Sequence, residues 1–222
     1  EIRVFQHEDA PAAVGLAIDH SGSMRPKLAD VIAAARTFVQ QSRNDDELFV
    51  INFNERSVLA MPGPVRFSNR LDELSYAISL MPPSGETALY DAMAHAFARL
   101  KSAHLDKKAL ILISDGGDNV SRHSKADVLR MAAHSTALVY AIGIFDVNDP
   151  DRNPAVLREL ARSTGGEAFF PRTLSEISSI CEKIAYDVRN QYTLGYVSSN
   201  GSGKSYRKIR VTATAGQSRL VV

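Results

Sequence analysis

The chain has 222 residues and a nearly balanced charge, with 26 Lys and Arg against 25 Asp and Glu. Its length suits one large α/β domain, and the charge balance offers no reason to expect a nucleic-acid partner. The single cysteine, Cys181, excludes an internal disulfide and a cysteine-based zinc site, and no apolar run approaches the ~20 residues of a membrane helix.

Short apolar runs alternate with segments of helical periodicity along most of the chain. The apolar runs predict strands at 14–18, 48–53, 109–113, 137–144 and 167–170. The periodic segments predict helices near 28–39, 69–81, 88–102, 124–135, 154–163 and 174–190. The predicted strands that begin at 14, 109 and 137 are apolar throughout, as is typical of parallel sheets covered on both faces. We therefore expect a doubly wound, mostly parallel α/β sheet flanked by helices.

Helix-capping signals mark the starts of three predicted helices. Ser124 with Asp127, and Thr173 with Glu176, each fit a capping box. Asn153 followed by proline suits an N-cap with proline at the first helical position. Cys181 falls at helical spacing with apolar neighbours, which predicts a buried, inert thiol.

The pattern changes after residue 190. Segments 192–197, 207–214 and 218–222 surround a Ser- and Gly-rich stretch, and 208–212 alternates with period two. We expect a small antiparallel β extension from residues 191–222, joined by a strand from residues 1–11 and packed on the main domain of residues 12–190. Because the chain begins with Glu1, we also expect it to be a fragment of a longer product.

The most informative motif lies directly after the first predicted strand. Residues 19–23 read Asp-His-Ser-Gly-Ser, so Asp19, Ser21 and Ser23 place three oxygen donors on one tight loop. Hard divalent cations such as Mg²⁺ prefer oxygen ligands. The alternative is that these side chains cap the helix that follows.

Two further loops carry oxygen ligands. Thr87 precedes the helix at 88, and Asp115 follows the strand at 109–113. In a doubly wound sheet, ligands bind at the carboxyl ends of the two strands where the strand order reverses. If the strands before Asp19 and Asp115 are these neighbours, the two carboxylates and three hydroxyls face one cavity.

These five residues resemble the metal-ion-dependent adhesion site of von Willebrand factor type A (VWA) domains, which have a Rossmann-like fold. The stretches 87–92, 114–119 and 191–196 are most similar to a bacterial, acidobacterial-type group of VWA-related domains. The resemblance implies that Ser21, Ser23 and Thr87 contact Mg²⁺ directly, with Mn²⁺ or Ca²⁺ as alternatives. It implies that Asp19 and Asp115 act largely through water, and that a coordination position stays open for a partner's carboxylate. Its members commonly look exported, which suggests an extracytoplasmic or secreted bacterial protein.

Several other patterns lack the residues that their chemistry needs. Residues 201–205 resemble the end of a phosphate-binding loop but are followed by a strand pattern, so we read them as a turn. Ser21 lacks the Gly-x-Ser-x-Gly context of a hydrolase nucleophile, and His20 is expected to point away from it. An acidic loop lacks the glycine and final glutamate of an EF-hand and is read as a rim that tunes partner choice: Asp146, Asn148, Asp149 and Asp151.

Two residues near the metal motif have open roles. Asp91 either holds a loop through hydrogen bonds or is an exposed helical residue, and Asp118 either shapes the rim of the site or is solvated.

The sequence therefore predicts a non-enzymatic module that binds an acidic residue of a partner protein through Mg²⁺. One alternative is a structural VWA domain whose surface or β extension makes metal-independent contacts. A metal-dependent hydrolase is a further alternative, but the chain lacks a recognisable nucleophile and base.

Overall fold

The computed structural model describes residues 2–63, 66–145, 152–197, 213–215 and 218–220. The chain divides into two compact units, Glu8–Gln191 and a second one that combines Glu1–His7 with Tyr192–Val222. The predicted turn at 201–205, the alternating segment at 208–212 and the acidic loop at 146–151 lie outside the described residues.

The larger unit is built on a six-stranded sheet in the order β4-β3-β2-β5-β6-β7. Its strands are β2 (Ala13–Asp19), β3 (Glu47–Phe53), β4 (Ser57–Leu59), β5 (Lys108–Ser114), β6 (Leu138–Gly143) and β7 (Ala168–Phe169). All neighbouring pairs are parallel except β3 and β4. The predicted fold class is confirmed. The short antiparallel strand β4 was not predicted, because three residues are too few to show a period.

Six helices accompany the sheet: α1 (Leu28–Gln40), α2 (Leu71–Ile78), α3 (Leu89–Lys101), α4 (Lys125–Ala133), α5 (Pro154–Ser163) and α6 (Glu176–Arg189). Helix α1 packs against α2 and α6, while α4 packs against α3 and α5. All of β2 and nearly all of β5 are buried, as their uninterrupted apolar sequence predicts for strands covered on both faces.

Two of the three predicted helix caps are present. Ser124 and Asp127 form the capping box of α4, and Asn153 accepts a hydrogen bond from the Val156 amide at the start of α5. The predicted box of Thr173 and Glu176 was wrong. Helix α6 is preceded by Ser175, which makes no side-chain cap, and the Glu176 carboxylate instead accepts from the Arg172 amide.

The sheet order places the predicted site at its topological switch point. From β2 the chain runs through α1 to β3, which lies on one side of β2. It later forms β5, which lies on the other side of β2. Asp19 is the last residue of β2, and Asp115 directly follows β5. Since β2 and β5 are parallel neighbours, both aspartates lie at the same edge of the sheet.

The described residues at the two chain ends form two two-stranded sheets. Strand β1 (Ile2–Glu8) pairs with β8 (Gln191–Tyr196), and β9 (Ala213–Ala215) is antiparallel to β10 (Ser218–Leu220). The Phe5 and Tyr192 rings stack with centroids 5.4 Å apart. A strand from each end of the chain therefore pairs in this small β extension, as expected from residues 1–11 and 191–222.

Candidate metal centre

Four of the five predicted ligands line one small cavity at the carboxyl edge of the sheet. Ser21, Ser23, Thr87 and Asp115 surround about 160 Å³ together with Gly85, Glu86 and Asn119. Asp19 lies behind this cavity and is fully buried. Among the described residues that line the cavity none is basic, so the site gathers negative charge and neutral oxygens.

Hydrogen bonds across the cavity connect the first loop, residues 19–23, to the third loop, which begins at Asp115. The Ser23 hydroxyl donates to Asp115 Oδ2 at 2.5 Å, and Ser21 Oγ lies 3.2 Å from Ser23 Oγ. The hydroxyls therefore face the second strand end and do not cap a helix. Neither the turn at Gly22–Met24 nor α1 has a side-chain cap. The alternative interpretation, in which these side chains cap the following helix, was therefore wrong.

Asp19 acts as a buried anchor beneath the hydroxyls. Its Oδ1 accepts from the Ser21 amide at 2.8 Å, and its Oδ2 accepts from Ser114 Oγ at 2.6 Å. Burial, together with the nearby charge of Asp115, raises the pKa of Asp19 to about 7. Two buried carboxylates close to each other are costly without a compensating cation, so this donor set fits a divalent ion.

Ser114 is the site residue whose role sequence reasoning missed. Its hydroxyl joins the Asp19 carboxylate to the Gly116 amide, which donates to it at 3.0 Å. The available signal was a polar residue ending an otherwise apolar strand.

Thr87 is positioned by backbone contacts to all the neighbouring loops. Its carbonyl accepts from the Asn119 amide at 2.9 Å, and the Ala88 amide donates to the Asn54 carbonyl at 2.7 Å. Thr87 is 4% exposed, and within the described residues its hydroxyl has no hydrogen-bond partner. That hydroxyl is free to serve as a ligand.

The first two loops are joined directly. The Gly22 amide donates to the Gly85 carbonyl at 3.0 Å, and the Ser84 amide donates to the His20 carbonyl at 2.9 Å. His20 Nδ1 lies 2.6 Å from the Met81 carbonyl oxygen, so the ring points away from Ser21 as expected. Burial lowers the pKa of His20, so the ring stays neutral at pH 7. Because the ring is turned away from Ser21, it cannot activate that hydroxyl as a nucleophile.

Asp118 and Asp91, for which the sequence left two roles open, hold the third loop against α3. Asp118 Oδ1 accepts from the Tyr90 amide at 3.1 Å and from Ser121 Oγ at 2.5 Å, which caps the start of α3. Asp91 accepts from the Arg122 and His123 amides. Both residues therefore shape the site indirectly, and the loop-holding interpretation of Asp91 is confirmed.

Cys181 is buried in α6, and burial raises its pKa to about 12. The thiol is therefore protonated at neutral pH, which agrees with an inert core residue.

The larger unit of the chain is similar to known proteins. Residues 14–117 match the sequence model of the von Willebrand factor type A domain. The structure superposes on a von Willebrand factor type A protein from Catenulispora acidiphila with a TM-score of 0.70 and 18% identity, covering 84% of this chain and 49% of that one. The fold is that of a VWA domain.

Two other structures share this VWA fold. The vWF domain of the type V pilus tip protein Mfa5 from Porphyromonas gingivalis gives a TM-score of 0.69 at 13% identity, covering 86% of this chain and 99% of that one. Proximal thread matrix protein 1 from the mussel byssus gives 0.68 at 19% identity, covering 86% and 49%. The chain thus spans about half the length of the Catenulispora and mussel proteins. No curated protein matches it in sequence.

None of the helices in the described part of the chain is long and apolar enough to cross a membrane.

Proposed function

We propose that this VWA domain is a divalent-metal-dependent protein-binding module that captures a Glu or Asp carboxylate of a partner through Mg²⁺. The observation that carries the proposal is the convergence of Ser21, Ser23, Thr87 and Asp115 on one cavity above buried Asp19. Mn²⁺ and Ca²⁺ are alternative ions for an all-oxygen donor set.

The roles of the hydroxyl residues and of Asp19 differ because, of these, only the hydroxyl residues line the cavity. The hydroxyls of Ser21, Ser23 and Thr87 are neutral donors at the cavity, so they leave most of the ion's charge uncompensated. Asp19 is fully buried and engaged by Ser21 and Ser114, so it orients the donors and supplies charge from behind. An ion held in this way attracts an external carboxylate, which is the chemistry of an acidic partner residue.

Two of the structural neighbours support this role. One neighbour is part of a pilus tip protein, and another is a thread matrix protein. They support an assembly or adhesion function, and the bacterial pilus protein supports an extracytoplasmic location. We assign no catalytic role to the site, in keeping with the pilus tip and thread matrix proteins among the structural neighbours.

Calorimetric titration of the metal-free chain tests the first half of the proposal. MgCl₂, MnCl₂ and CaCl₂ are titrated into the wild type, into Asp115→Ala and into Asp30→Asn, an exposed carboxylate on α1 that serves as the matched control. We expect saturable one-site binding in the wild type and the control, and none in Asp115→Ala. The absence of wild-type binding at millimolar metal would contradict the proposal.

The open coordination position is tested with Mn²⁺ as a paramagnetic reporter. Water bound to Mn²⁺ speeds the relaxation of bulk water protons, so a carboxylate that replaces it lowers this effect. We expect acetate to lower the relaxivity of the Mn²⁺ complex, and the neutral isostere acetamide to leave it unchanged. Equal responses to both compounds would show that no position is reserved for a carboxylate.

A second candidate function has its own support in the β extension. Strands β1 and β8 expose large apolar side chains: Val4, Phe5, Tyr192, Leu194 and Tyr196. Exposed apolar patches of this kind are typical of interaction surfaces. A VWA domain that assembles through this surface binds its partner equally well in EDTA, whereas metal-dependent capture is abolished by the chelator.

A further inference from the structure

A second binding feature lies between α3 and α4. A groove of about 890 Å³ separates these helices, and all the residues that line it are described. Its volume falls within the roughly 300–1,000 Å³ that is usual for small-molecule sites. None of its lining residues is one of the five predicted metal ligands.

The floor of the groove is apolar and is built mainly by one face of α3. It consists of Ala94, Phe97, Ala98, Leu100 and Met131. Ala94 and Lys101 are seven positions apart on α3, about 10 Å along the helix axis. An apolar strip of this length accommodates a hydrocarbon chain or a ring system.

The rim of the groove is basic. Lys101, Lys108 and Arg122 line it, together with the half-buried ring of His95. Lys108 Nζ donates to the Ala103 carbonyl at 3.3 Å, and His95 Nδ1 lies 2.9 Å from Ser57 Oγ. Asp91 is the one carboxylate among the described lining residues, and it already accepts hydrogen bonds from Arg122 and His123 amides.

No ion pair neutralises the basic rim. Within the described residues, Lys101, Lys108 and Arg122 form no ion pair with a carboxylate. Some cations elsewhere on the unit do so, for example Lys125 with Glu159 and Lys183 with Glu167. Three unpaired cations around an apolar floor therefore favour a ligand that combines an anionic group with an apolar body.

We propose that the α3–α4 groove binds a small anionic amphiphile, an aliphatic chain ending in a carboxylate. The chain lies along the floor formed by Ala94, Ala98 and Met131, and the carboxylate lies at the basic rim near Lys101 and Lys108. A neutral molecule of the same shape leaves the cations unpaired, and a cationic one is repelled by them. The charge pattern thus selects the anion among apolar ligands.

Equilibrium dialysis with radiolabelled dodecanoate below its micellar concentration tests this site. The 222-residue chain is used in EDTA, so that the result is independent of the proposed metal centre. We expect saturable binding of one dodecanoate per chain, and at least about tenfold weaker binding of radiolabelled dodecanol, because the latter lacks the charge. Non-saturable uptake, or equal affinity for both compounds, would overturn the proposal.

Three variants locate the bound ligand. Ala98 and Lys101 are exposed positions on α3, so Ala98→Trp fills the groove and Lys101→Glu reverses its charge without disturbing the core. Arg99→Glu is the matched control, since Arg99 is also a basic residue of the last turn of α3 but does not line the groove. We expect both groove variants to lose about tenfold or more in affinity and the control to keep it.

Amide chemical shifts of the wild type provide a measurement that needs no variant. Dodecanoate should shift amides of α3 and α4 around Ala98 and Met131. Shifts concentrated elsewhere on the chain, or unchanged affinity in Ala98→Trp, would show that the groove is not the binding site.

Discussion

The cavity of the candidate metal centre and the α3–α4 groove carry charges of opposite sign. The cavity gathers Asp115, Glu86 and three hydroxyls above a second buried carboxylate, with no basic residue among its described lining. The groove gathers Lys101, Lys108 and Arg122 on an apolar floor, with one carboxylate that is already engaged. Each site lacks its counter-charge within the described chain.

The two sites also differ in how firmly they are built. The donors of the cavity are held by backbone bonds between loops and by buried side chains, so the negative charge cannot move apart. The basic side chains of the groove are long and mostly exposed, so they adapt to a ligand. The cavity is therefore suited to a small, hard cation. The groove is suited to a larger anion, because its side chains can adjust to the shape of the ligand.

The largest predicted effect comes from neutralising one buried carboxylate of the cavity. Asp115→Asn keeps an oxygen acceptor for the Gly117 amide but removes a charge close to Asp19. We expect saturating Mg²⁺ to raise the wild-type melting temperature by about 5–10 °C at a hundredfold excess over its dissociation constant, and to leave Asp115→Asn unchanged.

The metal-free forms sharpen this prediction. Because the repulsion between the two carboxylates is gone, metal-free Asp115→Asn should melt no lower than metal-free wild type. Both melting temperatures come from thermal unfolding in EDTA and in Mg²⁺. A variant that is less stable without metal would mean that Asp115 is chiefly a structural residue.

The next largest effect tests the rigidity of the third loop. Gly116 has φ +83°, and a Cβ there would lie 2.5 Å from the Asn153 carbonyl oxygen. Gly63 has φ +57° with nothing within 4 Å of a Cβ. We expect Gly63→Ala to cost about 1–2 kcal/mol through backbone strain, and Gly116→Ala to cost about 2–5 kcal/mol, because overpacking adds to it.

Urea unfolding of both alanine variants measures the difference. Gly116→Ala should also weaken Mg²⁺ binding, since Asp115 is displaced with the loop, whereas Gly63→Ala should not. Equal costs for the two substitutions would indicate that the loop yields easily.

A smaller effect is expected at Thr87, where two substitutions distinguish the contribution of the hydroxyl from that of the packed side chain. Thr87→Val keeps the buried shape but removes the oxygen, so we expect about tenfold weaker Mg²⁺ binding with little change in metal-free stability. Thr87→Ser retains the oxygen and should bind nearly as well as the wild type. Calorimetry on the three proteins checks this, and unaltered binding in Thr87→Val would remove Thr87 from the donor set.

The smallest effect concerns Asp91, which lines the groove and binds the Arg122 and His123 amides. Partial burial favours a higher pKa for Asp91, but the hydrogen bonds from His123 and Arg122 outweigh it, so the pKa lies below the ordinary 3.8. The carboxylate therefore stabilises the fold above that ordinary value, and this contribution is lost as pH falls through the lower pKa of the folded protein.

We expect Asp91→Asn to cost about 1 kcal/mol at pH 7, because the residue is partly exposed. The difference between variant and wild type should shrink as the pH falls below 3.8. Urea unfolding across this range measures it, and a difference that is constant with pH would assign the effect to shape and not to charge.

The fold was largely predictable because its signals are local. The apolar runs at 14–18 and 109–113 reported strands buried on both faces, and helical periodicity located α1 to α6 within a few residues. The short strand β4 and the cap of α6 were missed or misassigned. Their geometry depends on contacts with other segments, which no local pattern encodes.

The candidate site was predictable for a different reason. Asp19, Ser21 and Ser23 form a motif of adjacent residues, and Asp115 follows a second strand, so topology alone brings them to one edge. Ser114 was overlooked because its hydroxyl matters only through Asp19, which is far away in sequence. The function of these residues as a metal site stays a prediction.

The sequence by itself determined the layered α/β architecture and which oxygen-bearing side chains follow its strands, because hydrophobic periodicity and residue type can be read from adjacent residues. Only the tertiary structure decided that β2 and β5 are neighbours, that Asp118 and Asp91 hold the third loop against α3, and that Lys101, Lys108 and Arg122 surround one groove. These arrangements depend on which distant segments pack together, and close packing involves side chains from the entire core.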